Sequence, residues 1–96
     1  MANWRFKLTA GKALREAIDN EDREAILDNL ILCWRAIREL MPDDYEEYEL
    51  EDDIEAIGAV RDDMEYEDED YVEEEIDGLL RDFYDFCDGY RIWVDL

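Results

Sequence analysis

Between Pro42 and Asp77, 20 of 36 residues are Asp or Glu, and the only cation is Arg61. Carboxylates at that density repel one another, so the stretch enters a fold only as elements that turn apolar side chains inward and acids outward. Its apolar residues have the spacing this requires. Leu50, Ile54, Ile57, Val60 and Met64 recur at helical intervals, with Glu51, Asp52, Asp53, Glu55, Asp62 and Asp63 off the stripe, and predict a helix over about residues 46–65. Gly58 lies inside it and marks a candidate close helix contact. Residues 65–70 read as a polar connector. Val72, Ile76, Leu79, Leu80, Phe83, Phe86 and Cys87 then predict a helix over about 70–88, with Gly89 at the position that favours left-handed geometry.

The flanking sequence is ordinary by comparison. Residues 1–41 carry seven acids and seven bases, so the acidity belongs to one region. Residues 3–8 alternate Trp4, Phe6 and Leu8 against Arg5 and Lys7, as a short half-buried strand does. Thr9 is placed to cap a helix whose stripe is Ala10, Ala13, Leu14, Ala17 and Ile18, ended by Asp19-Asn20. Asn20 is placed to cap a second helix from Glu21 to about Met41. Its apolar positions Ile26, Leu27, Leu30, Ile31, Trp34, Ile37, Leu40 and Met41 cover more than one stripe, which predicts the central helix, and Pro42 stops it. Residues 90–95 alternate again. A lone strand leaves backbone groups unsatisfied, so the first and last segments are expected to pair.

The expected fold is α+β and mainly helical, with four helices closed by a small two-stranded sheet of the N- and C-terminal strands, in one domain of 96 residues. Apolar residues at 48% and aromatics at 12% set the chain apart from disordered sequences. No apolar run approaches the ~20 residues that span a bilayer, and the first residues lack a signal-peptide core, so a soluble, cytoplasmic protein is expected. Cys33 and Cys87 lie far apart within apolar stripes and are expected to be buried free thiols.

The chain has no His, Ser or Gln, which excludes triads with a His base and all His-containing metal motifs. No glycine-rich phosphate loop and no EF-hand frame occur. Carboxylate chemistry remains open: Glu46 with Glu49, and Glu74 with Asp77, have the spacing of all-helical nucleotide pyrophosphohydrolases, which hold magnesium. Such spacings arise by chance among so many acids. The expectation is a protein that is not an enzyme and uses no cofactor or metal.

The acids instead define a candidate interaction region over residues 42–77. It comprises Asp43, Asp44, Glu46, Glu47, Glu49, Glu51, Asp52, Asp53, Glu55, Asp62, Asp63, Glu65, Glu67, Asp68, Glu69, Asp70, Glu73, Glu74, Glu75 and Asp77. Tyr45, Tyr48, Tyr66 and Tyr71 stand among them, either to meet arginines of a partner or to cover helix ends. Trp4, Trp34 and Trp93 read as core or edge packing, and Arg15, Arg23, Arg35 and Arg38 are expected to pair with acids on the first two helices. An anionic surface is repelled by nucleic-acid phosphates and by anionic lipid, so the expected partner is a basic protein, with no direct binding of nucleic acid or membrane.

As helix at ~1.5 Å per residue, the segment spans at most about 54 Å, or roughly one net charge per 2.8 Å. Duplex DNA carries one per ~1.7 Å of axis and each strand one per ~3.4 Å. In size, charge clustering and lack of catalytic residues, the chain resembles the small acidic DNA-mimic inhibitors of phages and mobile elements, the anti-CRISPR and anti-restriction proteins. The resemblance is in character, over residues 42–77, with no alignable motif. It implies an inhibitor in the nucleic-acid groove of a prokaryotic defence nuclease, such as a CRISPR effector or restriction nuclease, acting in the host bacterial cytoplasm if phage-encoded. The alternatives are an acidic adaptor or chaperone-like module for a basic protein, and a magnesium-dependent, all-carboxylate hydrolase of nucleotides.

Overall fold

Arg23–Leu40 is the helix on which the three other helices and the first strand pack. A computed structural model of the chain describes residues 6–8, 11–40 and 47–94. The elements run β1 (Phe6–Leu8), α1 (Gly11–Asp19), α2 (Arg23–Leu40), α3 (Glu47–Asp63), α4 (Glu69–Gly89) and β2 (Ile92–Val94). The Thr9 cap, Pro42, Trp4, Tyr45, Asp43, Asp44 and Glu46 lie outside the described residues, as do the side chains of residues 47–50.

As its wide apolar surface predicts, α2 meets α1, α3, α4 and β1. Leu27, Leu30, Cys33 and Ile37 are fully buried, and Trp34 is 2% exposed. Burying a Leu or Ile side chain stabilises by about 1.5–3 kcal/mol relative to leaving it in water, so this helix supplies a large part of the core. Trp34 also sets the position of α4: its ring meets Phe83 and Phe86 edge-on, with centroids 5.5 and 4.9 Å apart. From α4 come buried Val72, Ile76, Phe83 and Cys87, and from α3 comes Ile57. Ile54, Val60 and Met64 of the α3 stripe are half-buried against the same core. In α1, Leu14 and Ala17 point inward, whereas Ala13, expected on the stripe, is exposed and Gly11 is buried in its place.

The strands pair as expected and do so in parallel, with Phe6 opposite Ile92, Lys7 opposite Trp93 and Leu8 opposite Val94. Parallel strands need a crossover, and here the four helices together form it. Leu8 and Ile92 are 2% exposed each, so one face of the sheet closes the core. On the other face, the Lys7 ammonium lies 5.1 Å from the centre of the Trp93 ring across the ladder.

Two chain reversals differ from the sequence expectation. The α1–α2 turn ends α1 with paired bonds from Asp22 N–H to Ala17 C=O and from Glu21 N–H to Ile18 C=O, each 3.1 Å. Glu21 takes the left-handed φ of 55° that this motif requires. Asp22, not Asn20, then caps α2, its carboxylate accepting from Ala25 N–H at 3.2 Å. At the end of α4, Gly89 is still helical and Arg91 carries the positive φ, 56°, while its N–H donates to Asp88 C=O at 3.3 Å. Among the described residues the expected helix contact at Gly58 is also not found, since a Cβ there would meet nothing within 4 Å.

Candidate functional site

The stripes that bury α3 and α4 turn the acids outward. Glu51, Asp52, Glu55, Asp62 and Asp63 on α3, Glu65, Glu67 and Asp68 in the turn, and Glu69, Asp70, Glu73, Glu74 and Asp77 on α4 are all exposed. Asp53 and Glu75 are half-buried. The turn over residues 64–68 is tight, with Tyr66 N–H and Glu67 N–H both donating to Asp63 C=O, at 3.0 and 2.9 Å. It therefore brings the C-terminal end of α3 and the N-terminal end of α4 together, and gathers acids from both. Glu69 and Asp70 suit the positive end of the α4 dipole, but Asp62 and Asp63 oppose the negative end of α3, at a cost of about 0.3–1 kcal/mol each.

The arginines cross between the two halves of the chain. Arg15 pairs within α1, at 3.3 Å from Asp19. Arg23 and Arg38, expected to pair within the first two helices, instead reach the acidic helices: Arg23 Nη2 lies 3.0 Å from Glu73 Oε1, and Arg38 Nη1 lies 3.2 Å from Glu51 Oε1. Arg61, the single cation of the acidic segment, reaches back to Glu24 and Asp28 of α2, at 3.0 and 2.8 Å. Coulomb attraction is indifferent to sequence separation, so helix packing decides the partners. Among the described residues, Asp52, Glu55, Asp62, Asp63, Glu65, Glu67, Asp68, Asp70, Glu74 and Asp77 take no part in these pairs.

Tyr66 at the α3–α4 turn is 84% exposed and Tyr71 is 47% exposed. The charge of Glu75, one turn along α4, is the main cause that raises the Tyr71 phenol above its ordinary value, followed by burial and by Glu67 and Asp63. Neither Cys33 nor Cys87 is in a disulfide, and both are buried. Burial pushes Cys33 up to about 11, and burial together with the nearby Cys33 pushes Cys87 up to about 12, so both are neutral, unreactive thiols near pH 7.

Two grooves border the acidic surface. One, of about 580 Å³, lies between the start of α2 and the end of α3, beside Glu24, Arg61, Asp62 and Tyr66. The other, of about 270 Å³, lies between the α1–α2 turn and α4, and has Ile18, Ile26, Ile76 and Leu80 beside Glu21, Arg23, Glu73 and Asp77. Glu21 and Glu24 were outside the sequence-based region. No local signal marks them, because only the packing of α2 against α3 and α4 brings them there.

Among the described residues, no three His, Cys, Asp or Glu side chains are grouped to hold a metal ion. Glu74 and Asp77 are both exposed on α4, and Glu46 lies outside the described residues. No described helix is long and apolar enough to cross a membrane. No protein-family model matches the chain, and no curated protein or solved structure does either.

Proposed function

We propose that the chain is an inhibitor that occupies the nucleic-acid groove of a basic protein, with the carboxylates of α3, the following turn and the first half of α4 standing in for phosphates. The target we favour is a prokaryotic defence nuclease, either a CRISPR effector or a restriction nuclease. One observation carries the reading: the described acids from Glu51 to Asp77 stand on two helices anchored by the core and on the short turn that joins them. From Glu69 to Asp77, six carboxylates fall within nine residues, about 13 Å of helix axis, or roughly one per 2 Å. That density lies between those of a DNA duplex and of one of its strands. A groove built from Arg and Lys to read a phosphate backbone meets a comparable density of carboxylates, carried on a backbone that is already folded.

The acids at the end of α3 strengthen the reading. Asp62 and Asp63 act against the helix dipole in an already anionic domain, so their placement does not serve stability.

The test is competition. A basic partner captured from a bacterial lysate at low salt is offered labelled DNA with and without the protein, at 50 and 200 mM salt. The proposal expects displacement of DNA and binding that weakens steeply with salt. Replacing Asp52, Asp63 and Glu74 together by Lys should weaken inhibition at least tenfold, with the helical circular dichroism unchanged. Glu16→Lys, on the exposed face of α1, is the control and should change inhibition less than twofold. Asp28 cannot serve as a second control because it holds Arg61. A partner that keeps full DNA affinity with the protein attached would overturn mimicry in favour of the adaptor reading.

A further inference from the structure

We infer that α3 is a strap: it opens from α2 and α4 as a unit, ahead of global unfolding, and leaves the rest of the fold in place. The inference is independent of the partner. Core burial is shared unevenly among the helices. Among the side chains described in α3, residues 51–63, only Ile57 is buried, with Ile54 and Val60 half-buried. By contrast, α2 buries six described side chains, including Leu27, Leu30 and Trp34, and α4 buries four, including Phe83. An element with few buried apolar groups opens at a fraction of the free energy that global unfolding requires.

Charge weakens one side of α3 and pins the other. The helix carries eight acids and one base, and α4, which it meets, carries nine acids and one base, so the two repel each other. Towards α2, which has three of each, α3 is held by ion pairs near both of its ends. Glu51 meets Arg38 at 3.2 Å, and Arg61 meets Asp28 and Glu24 at 2.8 and 3.0 Å. Glu51 and Arg61 stand about 15 Å apart along the helix axis, with Ile57 between them. Partly exposed pairs of this kind hold weakly. The strap is thus fastened by two such pins and one fully buried side chain, and when it opens, the apolar surface packed on Ile57 meets water while the core of α2 and α4 stays closed.

Native-state hydrogen exchange of the full chain, followed by ¹⁵N–¹H NMR in urea below the unfolding midpoint, tests the strap without any variant. The amides of Ile54, Ile57 and Val60 should share one protection factor, at least tenfold below those of Leu30, Trp34 and Phe83. Their urea dependence should also be shallower, because a partial opening exposes less surface than global unfolding. Asp22→Ala, which removes the α2 cap far from α3 in sequence, should speed exchange at Leu30, Trp34 and Phe83 about fivefold and at the three α3 amides less than twofold. Arg61→Met breaks a pair that is lost in the open and the unfolded states alike, so it should speed both groups severalfold. Equal protection and equal urea slopes in α3, α2 and α4 would overturn the proposal. So would protection that rises steadily from the ends of α3 towards Ile57, which is the mark of fraying, or an Asp22→Ala effect on α3 as large as that on α2.

Discussion

Arg61 of α3 meets Asp28 of α2 side-on, with Nε 2.8 Å from Oδ1 and Nη2 3.4 Å from Oδ2. The same Nη2 lies 3.0 Å from Glu24 Oε1. This bidentate contact ties the acidic segment to the neutral half of the chain. Its groups are partly exposed, so each pair contributes about 0.2–1 kcal/mol. Arg61→Met, which keeps the aliphatic stem, should lower stability by roughly 1 kcal/mol, or about 4–8 °C in Tm for a domain of this size. In urea melts, the Arg61→Met and Asp28→Asn effects should be less than additive, and the coupling should fade in 1 M NaCl. Additive effects would mean that the contact contributes nothing.

A net charge of −21 is carried by a domain with a radius of gyration of 13.3 Å. At neutral pH the repulsion works against compaction. Salt screens it, because the Debye length falls from ~30 Å at 0.01 M to ~8 Å at 0.15 M. Thermal melts at pH 7 should therefore show Tm rising between 10 and 150 mM NaCl, although the same salt weakens the internal pairs. A Tm that falls would mean that those pairs outweigh the repulsion.

The buried thiols set an alkaline limit. Their folded values, about 11 for Cys33 and about 12 for Cys87, lie above the ordinary 9.0. The neutral form is the one favoured by folding, so this contribution is complete below pH 9 and is lost as pH rises towards 11 and 12. Stability from urea melts should fall from pH 9 to 11. The slope should be shallower in Cys87→Ala, whatever that change costs at pH 7. An unchanged slope would show that Cys87 does not ionise on unfolding.

Gly58 and Arg91 hold each other's natural places. Gly58 is inside α3 with open space around a would-be Cβ, so Gly58→Ala should stabilise by about 0.5–1 kcal/mol. Arg91 has a φ of 56°, so Arg91→Gly should also raise Tm by relieving left-handed strain. A loss of stability in Gly58→Ala would reveal a hidden contact on α3, and a loss in Arg91→Gly would show that the arginine side chain holds the α4–β2 corner.

Periodicity made the four helices legible because a buried stripe is a local property: Glu47–Asp63 and Glu69–Gly89 fall within two residues of the bounds that their apolar residues predict. The outward facing of the acids follows from the same stripes. Caps and corners were less legible. Asn20 and Asp22 are both good cap residues, and the choice was made by the α1–α2 turn, which uses Asp22 N–H to close one helix and its carboxylate to open the next. The partners of Arg23, Arg38 and Arg61 depend on which helices touch, as does the placing of Glu21 and Asp77 along one groove. Spacing within a helix carries no record of either.

The parallel pairing of Phe6–Leu8 with Ile92–Val94 also has a consequence for timing during synthesis. Each helix can form from neighbours in the chain, but β1 emerges first and its partner strand emerges after all four helices. At 5–20 residues per second, its edge stays open for roughly 4–17 s on the ribosome. The first strand made is the last one secured, and nascent chains crowded on one message are most exposed to strand exchange during that interval.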